Sequence, residues 1–118
     1  MAYHSFEDLE VWKRACRLAV KIYDSLKNCS EFGLKDQMTR AVVSIASNIA
    51  EGAERDSDKE FIRFLHYAKG SAAELRTQVY IASCIKVLSS ELRDELIEEL
   101  KIISKQLQSL IKSKQPNT

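Results

Sequence analysis

Two histidines, three cysteines and a scatter of serines are the side chains of this chain that could do nucleophilic or metal chemistry, and their spacing denies them that role. A di-iron site inside a helical bundle needs Glu-x-x-His twice, with two further inward glutamates. Arg63 stands three residues before His66, and His4 precedes the first helix. Cys16, Cys29 and Cys84 form no C-x-x-C pair, so neither a zinc site nor a disulfide framework is expected. Ser44, Ser47 and Ser71 have no histidine near them in the sequence, and no G-x-S-x-G or glycine-rich phosphate loop occurs. Tyr23, Tyr67 and Tyr80 make no aromatic cluster suited to base stacking. Glu51 and Glu74 would be an acid/base pair only if they converged in a pocket, where Arg40 more naturally holds them as ion pairs. No catalytic, cofactor-binding or metal-binding residue is expected, and the chain reads as a non-enzyme.

What does carry a pattern is polar. Gln37, Arg40, Ser44, Asn48 and Glu51 follow one another at three or four residues, and Ser71, Glu74 and Gln78 do the same. On helices each set is a single stripe bordering an apolar face. The stripes have two readings. They are an inter-helix network that fixes register and partner choice, or they line a binding groove. Partly buried polar groups need partners, because an unmet one costs roughly 1–3 kcal/mol. Lys13, Arg17 and Lys21 repeat every four residues with Arg14 beside them. That is a solvated helix face or a stripe that tracks the phosphates of a nucleic acid.

Four helices must position these residues. The first is expected after Ser5, with Leu9, Trp12, Cys16, Ala19, Tyr23 and Leu26 on its buried face. The second runs from about Leu34 to about Glu54, with Leu34, Met38, Ala41, Val42, Ile45 and Ile49 inward. Val43, Ala46 and Ala50 form a second apolar set, which points to a cover from outside the chain. Ser57-Asp58-Lys59-Glu60 is a capping box that opens the third helix, about 40 Å long at 1.5 Å per residue. Its seam is Phe61, Leu65, Ala68, Ala72, Leu75, Val79 and Ala82. Gly70 costs that helix about 1 kcal/mol relative to Ala, which suggests close approach of a neighbouring backbone there. The fourth helix, capped at Ser89 or Ser90, carries Leu92, Leu96, Leu100, Ile103, Leu107 and Leu110 and runs to about Lys112. Short loops and long helices predict an all-α, antiparallel up-down-up-down four-helix bundle as a single domain over residues 1–118.

Composition agrees with that picture. Hydrophobic residues make up 45% and charged residues 30% of the 118, enough for one soluble core. The single proline, Pro116, lies at the tail. A net charge of +1 gives no global field toward nucleic acid. No apolar run is long enough for a membrane span or a signal peptide, so a cytoplasmic protein without membrane contact is expected.

The run Phe6-x-x-Leu9-x-Val11-Trp12 is followed by Gly33-Leu34-x-x-Gln37-x-x-Arg40-Ala41-x-x-Ser44-Ile45-x-x-Asn48-Ile49-Ala50-Glu51-Gly52. Further on stands Ser57-x-x-Glu60-Phe61-x-x-Phe64-Leu65-x-x-Ala68-x-Gly70-Ser71-x-x-Glu74-Leu75. Together they resemble the small four-helix-bundle proteins encoded in intervening sequences of bacterial 23S ribosomal RNA genes. A related branch is the accessory protein of diversity-generating retroelements. The match spans roughly residues 5–85. Ala46 stands where many members carry Pro, and the loop Asn28 to Phe32 lacks their usual Phe-Pro. The resemblance implies a ring-like homopentamer without enzyme activity. For the retroelement branch it implies binding to nucleic acid and a reverse transcriptase. The leading expectation is an oligomeric binding or scaffold module with RNA as candidate ligand, contacted through Lys13, Arg14, Arg17 and Lys21. The alternative is a protein-only adaptor for a neighbouring gene product such as a reverse transcriptase.

Overall fold

Serines start two of the long helices. In the computed structural model, which describes residues 5–116, Ser57 Oγ accepts from the Glu60 N–H at 3.2 Å and opens α3 (Asp58–Cys84). Ser89 Oγ accepts from the Leu92 N–H at 3.1 Å and opens α4 (Ser90–Lys114). The capping box at Ser57 is half made: Glu60 turns its carboxylate to Arg63 at 2.6 Å. Upstream lie α1 (Glu10–Ser25) and α2 (Phe32–Ala53). Ser5 caps a separate 3-10 turn, Phe6–Asp8, and extended Leu9 leads from it into α1.

The α3–α4 turn is a Schellman motif. Val87 N–H reaches Ala82 O at 2.8 Å, Lys86 N–H reaches Ser83 O at 3.1 Å, and Lys86 takes φ 68°. These two bonds satisfy carbonyls the helix end would otherwise orphan.

Each helix packs on its sequence neighbours around a square, α4 closing on α1, and among the described residues no Cα atoms of the diagonal pairs come within 8 Å. Contacts between neighbours run in opposite directions along the chain. Ser44 meets Ser71 and Gly52 lies against Phe64. Lys69 meets Gln108 while Arg93 meets Ser83. Arg14 meets Glu99 while Lys21 meets Glu95. The bundle is therefore antiparallel throughout, 49 × 24 × 20 Å.

The core is aliphatic. Met38, Val42, Ile45 and Ile49 of α2 face Leu65, Leu75 and Val79 of α3, with Leu96, Leu100, Ile103 and Leu107 of α4 filling the other side. The first helix is rotated from its expected setting. Val11, Ala15, Leu18 and Ile22 are buried; Trp12, Cys16 and Ala19 lie half-buried and Tyr23 is exposed. Both sets repeat at helical spacing, and contact with α2 on one side and α4 on the other selects the first.

The close approach expected at Gly70 occurs at Gly52. A Cβ built there would lie 2.6 Å from Phe64 Cβ and 3.1 Å from Phe61 Cδ1, whereas at Gly70 nothing lies within 4 Å. The turn between Ala53 and Asp58 brings α2 and α3 together at their joined ends, and Gly52 is where the backbone meets the Phe61–Phe64 ridge. Ala46, expected on an outer apolar surface, packs against the core, while Val43 stays 43% exposed.

Candidate functional site

The polar stripes of α2 and α3 border the same surface, and three of their members join. Asn48 Nδ2 donates to Ser44 Oγ and to the Ser44 carbonyl, both at 2.9 Å. Ser44 Oγ also shares a hydrogen bond with Ser71 Oγ, 2.9 Å away across the helix pair, in which either hydroxyl can donate. The remaining members do not join. Arg40 pairs with Asp36 at 3.0 Å and Glu51 with Arg55 at 3.0 Å, each within one turn. Gln37 and Glu74 line a shallow depression of about 300 Å³ beside Arg40, Ala41 and Ser44. Gln78 is buried and its Oε1 has no hydrogen-bond partner. Glu51 and Glu74 do not converge, since Glu51 lies near the joined ends of α2 and α3 and Glu74 sits by the Gln37 depression, so the acid/base reading has no geometry behind it.

The basic stripe of α1 is largely neutralised. Arg14 grips Glu99 of α4 through two bonds of 2.8 Å, which push its guanidinium pKa further up. Arg17 pairs with Glu10 at 3.2 Å and Lys21 with Glu95 at 3.2 Å. Lys13 is exposed and pairs with no described residue.

Charge is unevenly shared among the outer surfaces. The exposed positions of α4 are polar throughout: Glu91, Asp94, Glu95, Glu98, Lys101, Lys105 and Lys112 are charged, and Ser90, Ser109 and Ser113 are serines. Six of the eight large apolar side chains exposed among the described residues belong to α2 and α3 or their ends: Phe32, Val43, Tyr67, Tyr80, Ile81 and Ile85. Phe32 is 73% exposed. Between Arg40 and Glu51 the outer ridge of α2 carries no charge, and Val43 and Ser47 line an open groove of about 630 Å³ whose lining also includes Asp36, Arg40 and Glu51. At the joined ends, Arg55 stacks over the Phe64 ring at 4.7 Å and Arg63 over the same ring at 5.1 Å. The stripe patterns in the sequence did not reveal this segregation. Counting outward positions by charge, helix by helix, would have found it.

A second cleft, about 450 Å³, opens where α1 and α3 begin and α2 and α4 end, between Phe6, Leu9, Phe61 and Leu110. Lys114 Nζ lies in it, 5.7 Å from the Phe61 ring centre. Among the described residues no three His, Cys, Asp or Glu side chains are gathered as a metal site. His4 lies outside the described residues. No helix is long and apolar enough to cross a membrane.

No curated protein matches the chain. Among solved structures, a protein of unknown function from the S23 ribosomal protein family of Bacteroides thetaiotaomicron superposes with a TM-score of 0.81. It is 27% identical, and the alignment covers 86% of this chain and 98% of that one. Residues 7–109 match the family described as 23S rRNA-intervening sequence protein, the family to which this chain belongs.

Proposed function

We propose that the protein is a non-catalytic scaffold that assembles with copies of itself through its α2/α3 face. The observation that carries this reading is the segregation of surfaces: the exposed side chains of α4 are charged residues and serines, and Phe32, Val43, Tyr67, Ile81 and Ile85 stand out from α2 and α3. Large apolar side chains gathered on one side of a soluble bundle favour a protein partner. Five copies is the number the family resemblance implies. Light scattering on a sizing column tests it: a mass of several chains supports self-assembly, and a monomer at every concentration overturns it. Three free cysteines suit a reducing, cytoplasmic setting.

RNA is the second ligand to consider, on the strength of the α1 stripe. It ranks below self-assembly because Arg14, Arg17 and Lys21 already have carboxylate partners. Titration of ribosomal RNA fragments at rising salt separates the two: RNA affinity falls steeply with salt, whereas apolar association does not. An adaptor role toward another protein would use the same α2/α3 face.

A further inference from the structure

We propose that the outer face of α3 in one copy docks on the outer ridge of α2 in a second copy, the two bundles side by side and pointing the same way. This rests on the self-assembly proposed above and names its contact: Arg40 against Glu74, Glu51 against Arg63, and Phe32 against Ile81 and Ile85.

The argument is one of height along the bundle. Ser44 stands opposite Ser71, and Gly52 opposite Phe64. On that ladder Arg40 is level with Glu74 and Glu51 with Arg63. Phe32 is level with the turn between Ile81 and Ile85. Copies related by rotation about an axis along the bundles keep these heights. The α2 ridge of one copy then meets the α3 face of the next with plus on minus, minus on plus and apolar on apolar. Turning one copy end over end about Ser44 sets Phe32 level with Lys59 and Glu51 level with Gln78, and the complementarity is lost.

Three features of the single chain leave these groups ready for the contact. Glu74 is exposed and makes no ion pair with any described residue. The Arg40–Asp36, Glu51–Arg55 and Arg63–Glu60 pairs are surface, next-turn pairs of the kind that contributes little and is easily exchanged. Gly70 lies midway along α3 at the height of Val43 and Ser47, and no group of its own chain fills the space a Cβ would take. A helix from a second copy gives that glycine the close neighbour its own chain does not.

The test is charge reversal read by light scattering, with far-ultraviolet circular dichroism to check helix content. Arg40→Glu and Glu74→Arg should each raise the concentration for half-assembly at least tenfold, and the double variant should recover most of the loss. Val20→Glu on α1 is the control and should leave assembly unchanged. Should the wild type assemble while either reversal keeps its mass, or while the double variant does no better than the worse single one, the docking geometry is overturned and self-assembly stands. Disassembly by Val20→Glu would move the contact to α1 and overturn it equally. A monomeric wild type removes the underlying reading itself.

Discussion

Gly52 and Gly70 both sit inside long helices, and replacing each by alanine should have opposite effects. Alanine gains about 1 kcal/mol over glycine in a helix interior. At Gly70 nothing offsets the gain in an isolated chain, because the space around a Cβ is open to 4 Å. At Gly52 the new Cβ meets Phe64 Cβ at 2.6 Å, Phe61 Cδ1 at 3.1 Å and Phe61 O at 3.3 Å. Two of these atoms are fixed to the α3 backbone or one bond from it, so no rotamer change relieves them and the helices must part by close to an ångström. Overpacking of that kind costs typically 1–3 kcal/mol, and the upper part of that range fits a contact between backbones. The net expectation is a loss of about 1–2 kcal/mol for Gly52→Ala and a gain of about 1 kcal/mol for Gly70→Ala. For a chain of this length each kcal/mol moves the melting temperature by roughly 3–6 °C. Urea unfolding followed by circular dichroism, at the lowest workable protein concentration, reads both. A Gly52→Ala variant as stable as the wild type would refute the close α2–α3 approach. A Gly70→Ala variant that loses stability at low concentration would refute the open surface there. A gain that shrinks as protein concentration rises is the expected mark of a second copy covering Gly70.

Lys86 adopts φ 68° at the end of α3, a conformation costing a side-chain-bearing residue roughly 1–2 kcal/mol. Lys86→Gly should therefore raise stability by about 1 kcal/mol in thermal unfolding, and a drop would mean that the side chain contributes more than the strain costs. Ser57→Ala removes the hydroxyl that holds the Glu60 N–H and should cost about 1 kcal/mol, while Ser57→Asp should keep most of it. The thiols should differ in reactivity: Cys84 is exposed, whereas burial raises the Cys16 pKa, with Arg17 opposing the shift. A raised pKa means less thiolate at neutral pH, so a disulfide reagent should label Cys84 first and Cys16 more slowly. The reverse order would place Cys16 on an open surface.

Hydrophobic spacing carried most of the fold, and it failed where two spacings were equally good. In α3 the seam from Leu65 to Ala82 repeats without a rival, and it is buried. In α1 the series through Trp12, Cys16 and Tyr23 is as regular as the one through Val11, Ala15, Leu18 and Ile22. The choice between them lies in which helices flank α1, and a local pattern does not contain that. The same limit explains the two glycines. Both look alike in sequence, and only the height at which α2 passes α3 decides which one touches. That height follows from the short turn between Ala53 and Asp58, which places Gly52 beside Phe61 and Phe64. The polar stripes show the limit in a third form. Their spacing put Ser44, Asn48 and Ser71 on facing edges, but long charged side chains reach neighbours one turn away in their own helix. Arg40 and Glu51 therefore pair with Asp36 and Arg55, and Glu74, in the depression it shares with Gln37 and Arg40, is left without an ion pair among the described residues. Residues left over in this way, an unpaired carboxylate and an idle glycine on α3 and a bare Phe32 at the start of α2, are what a helix–helix contact between copies would use.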